Sequence, residues 1–103
     1  MTAIAILSVA PVREGSMSAD VAAAVAALDE QGVTYETTPM GTIIEAADAE
    51  TLFTAAAAAH AAVDADRVST FLKIDDKRTV DESAAAKVAS VEAHLGRPAT
   101  SDH

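Results

Sequence analysis

Residues 3–10, Ala-Ile-Ala-Ile-Leu-Ser-Val-Ala, are apolar at odd and even positions alike, and the run stops at Pro11. Successive side chains of a strand point to opposite faces, so a strand made from this run needs cover on both sides. Few folds give a short chain two covered faces. With 103 residues, one hydrophobic core is the expectation, burying roughly two-thirds of the unfolded surface. The reading is a single domain over residues 1–98 with a flexible tail over 99–103.

The segments after the first strand set the topology. Ser18 is placed to cap a helix whose first turn carries Asp20, a favourable charge at the positive end of the helix dipole. Val21, Val25 and Leu28 form one stripe on that helix, and Gly32 ends it. Residues 33–38 and 42–46 read as two strands joined through Thr38-Pro39-Met40-Gly41-Thr42. Asp48 opens a second helix with Leu52, Ala56, Ala59 and Val63 inward, and its Ala55–Ala59 run has the highest helix propensity available. Residues 68–74 form a fourth strand that Asp75-Asp76-Lys77-Arg78 ends in charge. Asp81 or Ser83 starts a third helix with Val88, Val91 and Leu95 in line, stopped by Gly96-Arg97-Pro98.

This order is the split βαβ arrangement, an α+β ferredoxin-like fold: a four-stranded antiparallel sheet, two helices on one face, and an extra C-terminal helix. The second face of the sheet is then bare although strands one and four are apolar on both sides. The narrow stripe of the third helix is poor cover for it. A second copy of the chain is the better one, so a homo-oligomer is expected.

Charge and composition narrow the partners. Seven basic against sixteen acidic residues leave a net charge of −9, which repels nucleic acid and anionic membranes alike. The acid excess and scarcity of Lys also fit a chain that stays soluble in concentrated salt, a halophilic character. Only Tyr35, Phe53 and Phe71 are aromatic, so the elements pack around small side chains. Without cysteine there is neither disulfide nor thiolate metal site. The N-terminus has no basic start and no small-residue cleavage pattern, and a cytoplasmic location is expected.

Candidate site residues cluster at turns. Thr38-Pro39-Met40-Gly41-Thr42 puts a fixed φ and a permissive backbone on either side of a polarisable thioether, which suits a flat heteroaromatic ring. It equally describes a bent hairpin with Met40 as core filler and Thr38 and Thr42 as strand residues. Ser8 sits where the first strand gives way to Pro11, and Ser16 and Ser18 lie near unpaired helix amides that could hold a phosphate or simply be capped. Glu45, Asp75 and Asp76 are carboxylates available to a cationic ligand; the plainer reading of the Asp pair is a solvated strand end. Asp75 and Asp76 point to opposite faces and do not make a metal site. His60 and His94 have no second ligand at metal spacing and read as structural or surface residues. No nucleotide-binding glycine loop or nucleophile elbow is present, so the chain reads as a binding protein without a cofactor and not as an enzyme.

The string Tyr35-Glu36-Thr37-Thr38-Pro39-Met40-Gly41-Thr42-Ile43-Ile44-Glu45 resembles the small thiamine-binding protein family. Lys73-Ile74-Asp75-Asp76-Lys77-Arg78, Lys87-Val88-Ala89-Ser90-Val91-Glu92, Ser8-Val9-Ala10-Pro11 and Gly15-Ser16-Met17-Ser18 extend the resemblance over nearly the whole chain. It implies a ferredoxin-like fold, dimers joined through their sheets into a tetramer, and thiamine or its hydroxymethylpyrimidine portion held near subunit boundaries. The expected ligand-binding residues are Ser8, Ser16, Thr38, Met40, Gly41, Thr42 and Glu45. The alternative is a structural or regulatory interaction protein with no metabolite.

Overall fold

A computed structural model describes residues 1–102. The elements run β1 (Thr2–Pro11), α1 (Ser18–Glu30), β2 (Thr34–Thr38), β3 (Gly41–Ala46), α2 (Ala49–Ala61), β4 (Val68–Lys77) and α3 (Ala84–Leu95). All strand pairs are antiparallel and the sheet order is β2-β3-β1-β4. This is the ferredoxin-like arrangement expected from the element order. Of the expected tail, His103 lies outside the described residues.

β1 occupies the sheet centre and its alternation is clean. Ala3, Ala5, Leu7 and Val9 are buried beneath α1 and α2, whereas Ile4, Ile6 and Ser8 face the other way and are half-buried. Ile44 of β3, Ala24 and Leu28 of α1, and Leu52, Ala55, Ala56 and Ala59 of α2 complete the core with Val33 and Val63. The large side chains there contribute most, each burial of a Leu or Ile stabilising by about 1.5–3 kcal/mol. The alanines contribute closeness instead, since a methyl group lets neighbouring backbones approach.

Two expectations are corrected. β4 does not stop at Ile74 but runs through Lys77, because Thr2, Ala3 and Ile4 supply partners for Lys77, Asp76 and Asp75; ladder bonds outweigh the polar composition. Ser18 is the first residue of α1, not its cap. Met17 holds the cap position without a side-chain bond, and the Ser18 amide donates to Ser16 Oγ at 3.3 Å. Asp48, by contrast, caps α2 as expected, accepting from the Thr51 amide at 2.8 Å.

α3 gives the sheet little cover, in keeping with its narrow stripe. Its Val88, Val91 and Leu95 are all exposed and none of its residues is buried. Ser83 caps it through the Ala86 amide, and Gly96 closes it in the left-handed conformation at φ 77°. The helix is tied to β4 by Lys87–Asp75, with Lys77–Glu82 bracing the approach. It therefore stands away from the two-layer body, and the radius of gyration is 15.0 Å against about 13 Å for a compact chain of this length.

Candidate ligand-binding site

Two strands and a helix leave a gap at one end of the sheet. Pro39 and Met40 form the two-residue connection of the β2–β3 hairpin, since Thr38 pairs with Gly41. Two-residue hairpins favour turns with positive φ at their first central position, which proline cannot adopt. Among the described residues only glycines have positive φ. The mismatch between turn and strand twist is absorbed at Gly41, φ 151°, which also sits so close to β1 that a Cβ there would meet Ile6 Cγ1 and the Leu7 carbonyl oxygen at 3.1 Å. Thr38 Oγ1 fastens the turn, donating to the Gly41 carbonyl at 2.7 Å and accepting from the Met40 amide at 3.3 Å.

Between this hairpin, the end of β1 and the first turns of α1 lies a cavity of about 280 Å³, near the lower end of the roughly 300–1,000 Å³ range of small-molecule sites. Leu7 and Val9 form its floor, Val21, Val25 and Leu28 its helical wall, and Thr37 and Thr42 its polar edge. The two hydroxyl oxygens are 3.3 Å apart. Thr42 is the buried polar residue of the described chain, at 5% exposure. No charged side chain lines the cavity.

Of the expected site residues, Ser8, Thr38, Met40, Gly41 and Thr42 line this cavity. They do so unequally. Ser8 shares the sheet face of Ile4 and Ile6, so the strand alternation turns its side chain away and it borders the cavity with its backbone. Met40 is 83% exposed and stands at the rim, not in the core. Ser16 is not on the cavity wall and bonds Ser18 in the preceding loop. Glu45 lies at the far end of β3, beside Thr2, Thr34 and Asp81, where Glu45 pairs with Ile4 of β1.

Sequence reasoning missed the helical wall. Val21 and Val25 read as core residues, yet both are only half-buried, because the hairpin does not close over them. It also missed an open hollow alongside, which shares Met17, Val21, Val25 and Thr37 with the cavity and continues to Asp29 and Tyr35. The Tyr35 hydroxyl donates to Asp29 Oδ1 at 3.1 Å. That bond, reinforced by the carboxylate charge, holds the phenol above its ordinary pKa. No local sequence signal joined Asp29 to Tyr35, since the turn at Gly32 lies between them.

Asp75 and Asp76, the other candidate carboxylates, are committed to ion pairs. Asp75 is held below the ordinary range by its bond and charge pairing with Lys87, which is raised in turn by the same partner. Asp76 pairs with Arg78 at 3.0 Å instead, so the two adjacent aspartates serve opposite faces. His60 Nδ1 lies 2.5 Å from Thr70 Oγ1, joining α2 to β4.

A small ferredoxin-like domain with an apolar cavity beneath its β2–β3 hairpin is thus the class to which the molecule conforms. The thiamine-binding protein family model matches residues 5–92, and the chain belongs to that family. A UPF0045 protein of Methanothermobacter thermautotrophicus is 51% identical over 79 residues, covering 74% of this chain and 80% of that one. A hypothetical protein of Methanocaldococcus jannascii has the same fold at 30% identity, with TM-score 0.80 over 87% of this chain and 95% of its own. A Thermotoga maritima protein described as a candidate thiamine biosynthesis/salvage protein shares the fold at 20% identity, with TM-score 0.75 over 88% and 99% of the two chains. Among the described residues no helix is long and apolar enough to cross a membrane.

Proposed function

We propose that the chain binds thiamine, or its hydroxymethylpyrimidine portion, in the cavity beneath the β2–β3 hairpin and carries out no chemistry on it. The observation that carries this reading is the cavity itself: apolar walls from β1 and α1 for the faces of a flat ring, and the Thr37 and Thr42 hydroxyls for its edge. Hydroxyls exchange donor and acceptor roles freely, which suits an aminopyrimidine carrying both. Membership of the thiamine-binding family supports the choice of ligand. The acidic balance favours a cationic metabolite over a polyanion, and the protein acts in the cytoplasm with no bound cofactor.

The working unit in this reading is a homo-oligomer, a dimer of dimers. Ile4, Ile6 and Ile43 are only half-buried on the sheet face opposite α1 and α2, and Phe71 on that face is 60% exposed. A second sheet would cover them.

Calorimetric titration with thiamine and with hydroxymethylpyrimidine tests the binding reading, and native mass spectrometry counts the subunits carrying ligand. Saturable binding, weakened by Met40→Ala at the rim, is expected. Heat indistinguishable from dilution for both compounds would refute it. The exposed stripe of Val88, Val91 and Leu95 favours the second reading, an interaction protein without a metabolite, which a stoichiometric protein partner in purified material and no small molecule would support.

A further inference from the structure

The cavity and the adjoining hollow divide by charge. Fifteen residues line the inner cavity and none is ionised at neutral pH, although the chain holds sixteen acidic residues. The hollow continues from it along α1 and the edge strand β2, and the one charged group on its wall is Asp29. The hydroxyl of Tyr35 occupies Asp29 Oδ1 and ties the ring to the carboxylate. β2 sets the spacing: Thr37 on the inner edge and Tyr35 on the outer wall are two residues apart on the same strand face, or about 7 Å.

We infer that Asp29 and Tyr35 form a subsite for an organic cation, so that the site selects a ligand made of a neutral aromatic ring joined by a short bridge to a positively charged ring. The inference rests on the binding function proposed above and specifies its selectivity. The neutral ring enters the uncharged cavity, where a cation would lose its hydration without a partner. The charged ring stays in the open hollow, against the aromatic face of Tyr35 and beside the Asp29 carboxylate, where water still reaches it and little desolvation is required. Thiamine has this division, with an aminopyrimidine and a thiazolium on either side of one methylene. Hydroxymethylpyrimidine has only the first half. Tyr35 performs two tasks, offering its face to the cation and fixing the carboxylate with its hydroxyl. A second cation does not compete for Asp29, which has no ion-pair partner among the described residues.

The test compares three probes by calorimetry at low ionic strength: thiamine, a neutral analogue with a benzene ring in place of the thiazolium, and hydroxymethylpyrimidine. Wild-type protein is expected to prefer thiamine to the neutral analogue by about fivefold, the size of an exposed cation–aromatic contact supplemented by a surface charge pair. Asp29→Asn should reduce that preference to about twofold or less, and Tyr35→Leu should do the same, while both leave hydroxymethylpyrimidine affinity within about twofold. Raising the ionic strength to about 1 M should shrink the wild-type preference, because the Debye length falls to about 3 Å. A preference for thiamine unchanged in Asp29→Asn, with hydroxymethylpyrimidine still bound, overturns the cation subsite and leaves the binding function intact. Failure of thiamine and hydroxymethylpyrimidine alike to bind the wild type overturns both.

Discussion

Gly41→Ala is the substitution that most directly probes how the cavity is built. Two separate costs arise at this position. The φ of 151° is one that L side chains rarely adopt, at about 1–3 kcal/mol. The new Cβ would also sit 3.1 Å from the Leu7 carbonyl oxygen and from Ile6 Cγ1. The Ile6 side chain can rotate away, but the carbonyl belongs to the central strand and cannot, so the hairpin has to shift, at about 1–3 kcal/mol more. Gly32→Ala is the matched control, since Gly32 also has positive φ, 70°, but open space around it. Urea unfolding followed by circular dichroism, at one fixed protein concentration because assembly adds to apparent stability, should place Gly41→Ala about 1–3 kcal/mol below Gly32→Ala. Ligand affinity should fall in the first variant and not in the second, because Gly41 is in the cavity wall and Gly32 is not. Equal destabilisation by the two substitutions would refute the close contact with β1, and with it the account of why the hairpin is held where it is.

Other outcomes rest on single residues. Leu28, 1% exposed and shared between the core and the cavity wall, should cost about 2–5 kcal/mol when changed to Ala, read from the same urea transitions; a loss well under that range would mean the site collapses to fill the void. Asp48 titrates below its ordinary value because it accepts from the Thr51 amide. Its folded pKa is depressed, so its contribution is present above the unfolded carboxylate value, about 3.9, and is lost as pH falls through the lower folded value. Asp48→Asn should therefore unfold with a shallower acid dependence below about pH 4, measured by thermal melts across that range.

The sequence carried the topology because each element bore its own period. The double apolarity of residues 3–10 marked β1 as a strand that needs cover on both faces, and the helical stripes placed Leu28 and Leu52 in the core. Boundaries that depend on a distant partner were not legible. Asp75, Asp76 and Lys77 are polar by composition, and only the opposite strand makes them part of β4. The site was half legible for the same reason. The Thr38–Thr42 turn announces itself locally through Pro39 and Gly41, but Ser8 needed the strand parity to reveal that its side chain faces away. Glu45 is seven residues after Thr38, and an antiparallel strand carries it to the opposite end of the sheet. Asp29 and Tyr35 belong to different elements and meet only through the α1–β2 packing.

The alanine-rich core divides the molecule into a part that can change and a part that cannot. Ala55 and Ala59 are fully buried in the same core as Ala3 and Ala5 of β1, so a larger side chain there would have to displace its neighbours. α1 carries no such constraint over its first turns, where Met17, Val21 and Val25 border open space. Exchanges at those three positions alter the volume and shape offered to a ligand while the alanine core stays as it is. Selectivity can thus drift among relatives without the fold having to be solved again.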